Sequence, residues 1–368
     1  MSDALRTPLH ERHLALGARM APFAGWDMPI QYSGVREEHR AVRAACGIFD
    51  VSHMGQIGVR GPDAAAFLQA TLTNDIDALA VGDGQYTLVC REDGGVIDDL
   101  IVYRLGEDEF LIVCNAANVD PVHTWIAGRA TPGAVVTNRS PQFAMLALQG
   151  SEWEAALAPV ADDGLDAVLA LRYFQVIETT LAGARSLVAR TGYTGEPGVE
   201  IMCPTDAAPA IWDALMAGAH APSPAGLAAR DTLRLEMGYP LYGQELSLTR
   251  TPIEAGLKWT CALDTTFCGV EVMRTQAADG TAERLCMFEL TEPGIPRTGC
   301  AVLVGDDVVG QVTSGSLSPS ADIGFGMAYV QSDLTPVGTD LVIDIRGKRK
   351  GAHTRPRPLI DTSPKKED

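Results

Sequence analysis

The sequence predicts an α+β protein built from two or three packed units, and three observations predict it. Strand-length apolar runs recur with Gly or Pro after them and then an amphipathic helix, hairpins lie between these units, and from about residue 282 short strands alone remain. A chain of 368 residues exceeds what one simple core holds. Its 46% hydrophobic and 21% charged residues are those of a folded protein rather than a disordered one.

The elements follow in order. Residues 56–60 read as a strand, Gly61-Pro62 punctuates, and 63–72 is helical. The scheme returns with strand 144–148, Gln149-Gly150 and helix 151–160, then with strand 199–203, Pro204 and helix 205–217. Pro suits a first helical turn, where its missing N–H is no loss. Between the first two units runs a meander: 85–90 alternates, 92–95 turns, 96–104 returns, 106–108 turns and 109–114 finishes. Near the C-terminus, runs at 285–290, 301–304, 308–312, 324–330 and 341–345 are separated by Gly, Pro, Ser and Asp, which predicts a small barrel or sandwich. Residues 362–368 read as a polar tail.

Charge and motif content exclude several functions. With 29 basic and 47 acidic residues the chain carries −18, so nucleic acid and anionic membrane surfaces are not expected partners. No apolar run approaches the roughly 20 residues that span a bilayer. The start, Met1-Ser2-Asp3-Ala4-Leu5-Arg6, lacks an apolar secretory core, which predicts a cytoplasmic protein. Eight scattered cysteines form no Cys-x-x-Cys pair and seven histidines are dispersed, so neither a disulfide framework nor a metal is expected. Dinucleotide, phosphate-loop, Gly-x-Ser-x-Gly and His-Glu-x-x-His motifs do not occur. Arg346, Lys348, Arg349, Lys350, Arg355 and Arg357 crowd one stretch, which is either an anion-binding patch or a solvated basic strand.

Three segments carry groups that chemistry could use. Arg190-Thr191-Gly192-Tyr193-Thr194-Gly195-Glu196 lies between apolar runs at 186–189 and 199–202. It is either a hairpin turn or a site-lining loop, for it holds a phenol between glycines, with Glu200 just beyond. Asp98 and Asp99 interrupt an apolar strand; neighbours on a strand point to opposite faces, so the two should not share a pocket. One could finish the Gly94-Gly95 turn while the other faces water, or either could be functional. On a helix Arg230 and Arg234 lie one turn apart, suited to a carboxylate ligand or, with Asp231, to an ion-pair ladder. Tyr239 and Tyr242 follow at the helix end.

Together these segments resemble the aminomethyltransferase (T-protein) family of the glycine cleavage system. The likeness runs through Gly17-Ala18-Arg19-Met20, Phe23-Ala24-Gly25-Trp26-Asp27-Met28-Pro29 and Phe49-Asp50-Val51-Ser52-His53-Met54. It continues in Gly94-Gly95-Val96-Ile97-Asp98-Asp99, residues 190–196, Ala229-Arg230-Asp231, Tyr242-Gly243-Gln244-Glu245 and Thr313-Ser314-Gly315. The resemblance implies three domains around a central folate cavity: 1–50 with 140–275, a ferredoxin-like 51–139, and a β-barrel or jelly-roll-like 280–361. It implies transfer of a methylene carbon from the aminomethyl group on the lipoyl arm of H-protein to tetrahydrofolate, the acceptor substrate. Asp99 matches the family's catalytic carboxylate, and Tyr86, Asn115, Tyr193, Glu200, Arg230 and Tyr239 match folate-contacting positions.

Departures are few. Gly226-Leu227-Ala228-Ala229 replaces the family's Gly-Leu-Gly-Ala, Gln149-Gly150-Ser151 replaces Gln-Gly-Pro, and Pro356-Arg357-Pro358-Leu359-Ile360-Asp361 replaces a more aromatic end. Two rivals share the fold. A folate-dependent demethylase paralogue would alter the donor segments, yet Phe49 to Met54 and both aspartates are present. A folate-binding accessory protein of iron–sulfur assembly would carry a cysteine where Leu241 stands.

Overall fold

The computed structural model describes residues 4–362; residues 1–3 of the leader reading, and the polar tail beyond Thr362, lie outside the described residues. The fold is α+β, with two sheets packed on one another and a closed barrel beside them.

The first sheet runs Val176–Leu181, Ala184–Ala189, Gly198–Pro204, Phe143–Gln149, Gly47–Asp50 and Ser223–Pro224. Its two central strands are buried on both faces, and period-two alternation divides their side chains between two cores. Leu146, Leu148, Ile201 and Cys203 join Trp153 and Trp212 from the helices Trp153–Leu157 and Ala208–Ala217. Met145, Ala147 and Met202 turn the other way, to Tyr103, Leu111 and Val113 of the second sheet and Leu233 of the helix Leu227–Glu236. That shared core fixes the two sheets relative to each other.

The second sheet is the meander with two further strands, in the order Gly84–Cys90, Val96–Gly106, Glu109–Cys114, Gly55–Arg60, Val135–Asn138. Its outer face is covered by the helices Ala64–Thr71 and Val119–Ala127 through Phe67, Leu68, Val122 and Ile126. The Gly94-Gly95 turn is finished by Asp93, whose carboxylate accepts from the Gly95 N–H at 3.0 Å, so neither Asp98 nor Asp99 is used there.

Six strands close the barrel: Glu283–Leu290, Gly324–Gln331, Asp307–Leu317, Ala301–Val304, Asp340–Ile345 and Lys348–Arg355. The last is the basic stretch. It pairs with Asp340–Ile345 on one side and with Glu283–Leu290 on the other, turning Ala352 and Thr354 inward and its cations outward. The barrel docks against the end of the helix Leu227–Glu236, where Leu235 packs with Leu285, Met287, Phe325 and Tyr329.

Candidate functional site

Asp99 lies half-buried in the middle of Val96–Gly106. The Tyr86 hydroxyl, on the neighbouring strand, donates to its Oδ2 at 2.9 Å, and the Asn115 amide donates to its Oδ1 at 2.8 Å. Asp98 is fully buried and accepts from the Asn118 amide at 2.6 Å, the Asn115 backbone N–H at 2.9 Å and the Asn115 amide at 2.8 Å. One amide therefore bridges both carboxylates, against the expectation that they share nothing. The bridge comes from Asn115, just past the neighbouring strand Glu109–Cys114, which reaches both carboxylates from one position. A bulge at Ile97 precedes the pair, since Val89 pairs with Asp98 but Cys90 with Val96. Burial pushes the Asp99 carboxyl up to about 6, against the pull of Tyr86 and Asn115. Burial and the Asp99 charge push Asp98 upward as well.

The Asp99 charge reaches Tyr193 in the hairpin between Ala184–Ala189 and Gly198–Pro204. Its connecting loop is both a turn and a lining. Arg190 turns into the core, donating to the Gly198 carbonyl at 2.8 Å and covering the Trp153 ring at 4.7 Å. Glu196 is held by Arg43 at 2.9 Å. Gly195 adopts φ +80°, and a Cβ there would meet the Met237 sulfur at 2.3 Å, so a residue without a side chain is required. That turn presents Tyr193, whose hydroxyl donates to the Pro240 carbonyl and whose ring stacks on Tyr239 at 5.8 Å and 27°. Burial, with the Asp99 charge added and against the pull of Arg234, keeps the Tyr193 phenol protonated.

Arg230 completes this wall. Its guanidinium lies 5.0 Å over the Tyr193 ring, with Glu200 the foremost charge favouring its ionised form, and burial depresses its pKa. Its Nη1 is enclosed and has no hydrogen-bond partner. Glu200 is buried and accepts from the Thr191 hydroxyl at 2.6 Å, which in turn lies 3.1 Å from the Tyr103 hydroxyl. Arg234 does not join Arg230 in a clamp. It is consumed by Asp231 at 2.8 Å, Glu245 at 3.0 Å, the Tyr239 carbonyl at 3.0 Å and Ser314 at 2.8 Å, the ladder arrangement. The seven positions matched by resemblance thus form two groups, Asp99 with Tyr86 and Asn115, and Glu200 with Arg230, Tyr193 and Tyr239, within electrostatic reach of one another through Tyr193.

Two models of known families match, one described as the GCVT N-terminal domain over residues 9–265 and one as the glycine cleavage T-protein C-terminal barrel domain over residues 283–361. The chain belongs to the glycine cleavage T-protein family. An aminomethyltransferase of Geobacillus kaustophilus is 43% identical over 96% of this chain and 98% of that protein. One of Halothermothrix orenii is 44% identical over 93% of this chain and 96% of that protein. The crystal structure of the glycine cleavage system aminomethyltransferase T from Bartonella henselae superposes with a TM-score of 0.90 at 33% identity, covering 97% of this chain and 98% of that one.

Two further aromatic residues, not singled out by the sequence, lie beside these groups. Tyr173 is buried enough that its phenol is pushed up, and the charges of Tyr239 and Glu200 act on it. Trp259 stacks on Tyr86 at 5.8 Å and 24° while remaining 64% exposed. Tyr173 sits in a turn and Trp259 in the short 3-10 helix Lys258–Thr260, and neither stretch has a periodicity that marks an aromatic. Among the described residues no helix is long and apolar enough to cross a membrane, and no group of His, Cys, Asp and Glu is arranged to hold a metal.

Proposed function

We propose that this enzyme moves the methylene carbon of an aminomethyl group from the lipoyl arm of H-protein to tetrahydrofolate. The products are 5,10-methylenetetrahydrofolate, ammonia and the dihydrolipoyl carrier. The observation that carries the reading is Asp99, a carboxylate fixed from two sides and within electrostatic reach of a wall of stacked phenols with one unanswered guanidinium nitrogen.

These groups fit a reduced pterin. Glu200 offers an acceptor for ring N–H groups and Arg230 Nη1 a donor for an oxygen of the ligand, while Tyr193 and Tyr239 give the ring a face to lie against. Asp99, ionised at neutral pH, orients the reacting nitrogens and stabilises positive charge that develops as carbon is transferred. Tyr86 and Asn115 hold that carboxylate in one rotamer, so little reorganisation remains for the moment of reaction. The division into 1–50 with 140–275, 51–139 and 280–361 is supported by the membership of the two sheets and the barrel.

For docking of the carrier, the basic stretch narrows. Arg355 is paired with Glu289 and donates to the Leu359 carbonyl at 3.0 Å, and Arg357 lies against Gly238 near Glu245. Among the described residues, the exposed cations without a paired acid are Arg346 and Lys348 at the barrel hairpin, since Arg349 is held by Asp306 at 2.7 Å and the half-buried Lys350 by Glu292 at 2.9 Å. Free cysteines at all eight positions suit the reducing cytoplasm as the compartment. The test is direct: aminomethylated carrier and tetrahydrofolate are incubated with the enzyme, and ammonia release is expected to need both. Release without folate, or none at all, removes the reading.

A further inference from the structure

We propose that His53 is a further residue of this site, the one that accepts a hydrogen bond from the amino nitrogen of the aminomethyl group; the assignment rests on the transferase reading above. His53 lies between Gly47–Asp50 and Gly55–Arg60. The residue is 5% exposed, and its Nδ1 is enclosed without a hydrogen-bond partner. Enclosed polar atoms in folded proteins nearly always have one, so the exception calls for a ligand.

Its position agrees. Gly55 pairs with Cys114, so His53 lies just beyond the strand end that also delivers Asn115, the amide bridging Asp98 and Asp99. The Phe23 ring closes against it edge-on at 5.5 Å. Asp50, the nearby carboxylate, is already taken by His13 at 2.8 Å and the Ser52 N–H at 2.9 Å. Arg230, the nearby cation, has an unpartnered Nη1 of its own. Burial holds the imidazole down near 4, and the Arg230 charge outweighs part of what Asp50 restores, so the ring is neutral at working pH.

A neutral imidazole offers one acceptor and one donor. On the transferase reading the N–H groups of the folate are given two carboxylate acceptors, Asp99 and Glu200. The nitrogen that departs as ammonia has N–H donors and no acceptor assigned to it. His53 supplies one without charge, so it orients the amino group without holding it as a salt, and ammonia can leave.

The reverse direction isolates this contact, because ammonium is then a separate substrate. With 5,10-methylenetetrahydrofolate and dihydrolipoyl carrier, His53→Phe is expected to raise KM for ammonium about tenfold, the scale of one lost hydrogen bond. Tetrahydrofolate affinity by titration stays within about twofold, and His53→Asn, which keeps a short amide acceptor, recovers part of the ammonium KM. An unchanged ammonium KM, or a folate affinity that falls in step with it, overturns the assignment. If His53→Phe does not fold, His53→Gln is judged by the same two measurements. A wild-type enzyme that incorporates no ammonium sinks the transferase reading, whereas an active wild type with an indifferent variant sinks this inference alone.

Discussion

A carboxylate pressed into low-dielectric surroundings trades stability for reactivity, and Asp99 shows both sides of that exchange. Asp99→Asn is expected to keep the fold and leave folate affinity within a few-fold while lowering turnover by roughly 10²–10³, the range for removing one preorganised electrostatic group. Equal turnover of mutant and wild type would refute the role. The pH profile carries a second check. With the folded value raised to about 6, kcat should fall as pH drops through 6, and the Asn variant should lack that limb. The stability sign follows from the same shift. A folded pKa above the unfolded value, about 3.9, means the Asp99 contribution is fully present below that value and lost as pH rises through 6. Asp99→Asn should therefore melt higher than wild type at pH 7 and lose that advantage by about pH 4, a pair of calorimetric scans. Asn115 was visible in the sequence as a matched position, but its hold on both aspartates was not. That contact joins residues 16 and 17 positions apart in the chain, and no local pattern encodes it.

At the level of elements, what the sequence revealed was what local periodicity encodes. The strand-then-helix units are found at Gly55–Arg60 with Ala64–Thr71, Phe143–Gln149 with Trp153–Leu157, and Gly198–Pro204 with Ala208–Ala217. The last barrel strand was ambiguous because Lys348–Arg355 buries little but Ala352 and Thr354, too thin an apolar face to announce itself. The helix Leu227–Glu236 was legible as a helix, yet not in how its two arginines divide, since their partners come from distant segments. Ala228 sits inside its first turn, where Ala is the better residue than Gly. The two arginines give opposite predictions. Arg230→Ala should weaken folate binding by roughly tenfold or more with little change in melting temperature, because no protein partner is left stranded at Nη1. Arg234→Ala should cost about 3–5 kcal/mol of stability by leaving the buried Glu245 unpaired. Titration and thermal melts of the two variants decide it; similar losses in both assays for both variants would erase the distinction.

Across the whole molecule, the barrel is tied to the body that carries Arg230 by a buried acid at the end of the same helix. Glu236 is fully enclosed, accepts from Ser318 at 2.6 Å and Ser320 at 2.9 Å on the barrel side, and meets Arg43 at 2.9 Å and His39 at 3.1 Å on the other. Burial alone would raise its pKa, but the His39 bond, Ser318 and the Arg43 charge together bring it down to about 2. Since the folded value lies below the unfolded one, about 4.3, its contribution is present above pH 4.3 and lost as pH falls toward 2. Acid should thus loosen the tie between barrel and body as Glu236 takes up its proton. Glu236→Gln removes the charge while keeping the shape, so it should melt well below wild type at pH 7, with the gap closing as pH falls from about 4 to 2. Because Arg230, Arg234 and Glu236 share one helix, slackening at the barrel end should also weaken folate binding in this variant, although Glu236 touches no part of the proposed pocket. A gap in melting temperature that stays constant down to pH 2.5 would show that Glu236 is not the acid-sensitive tie between barrel and body.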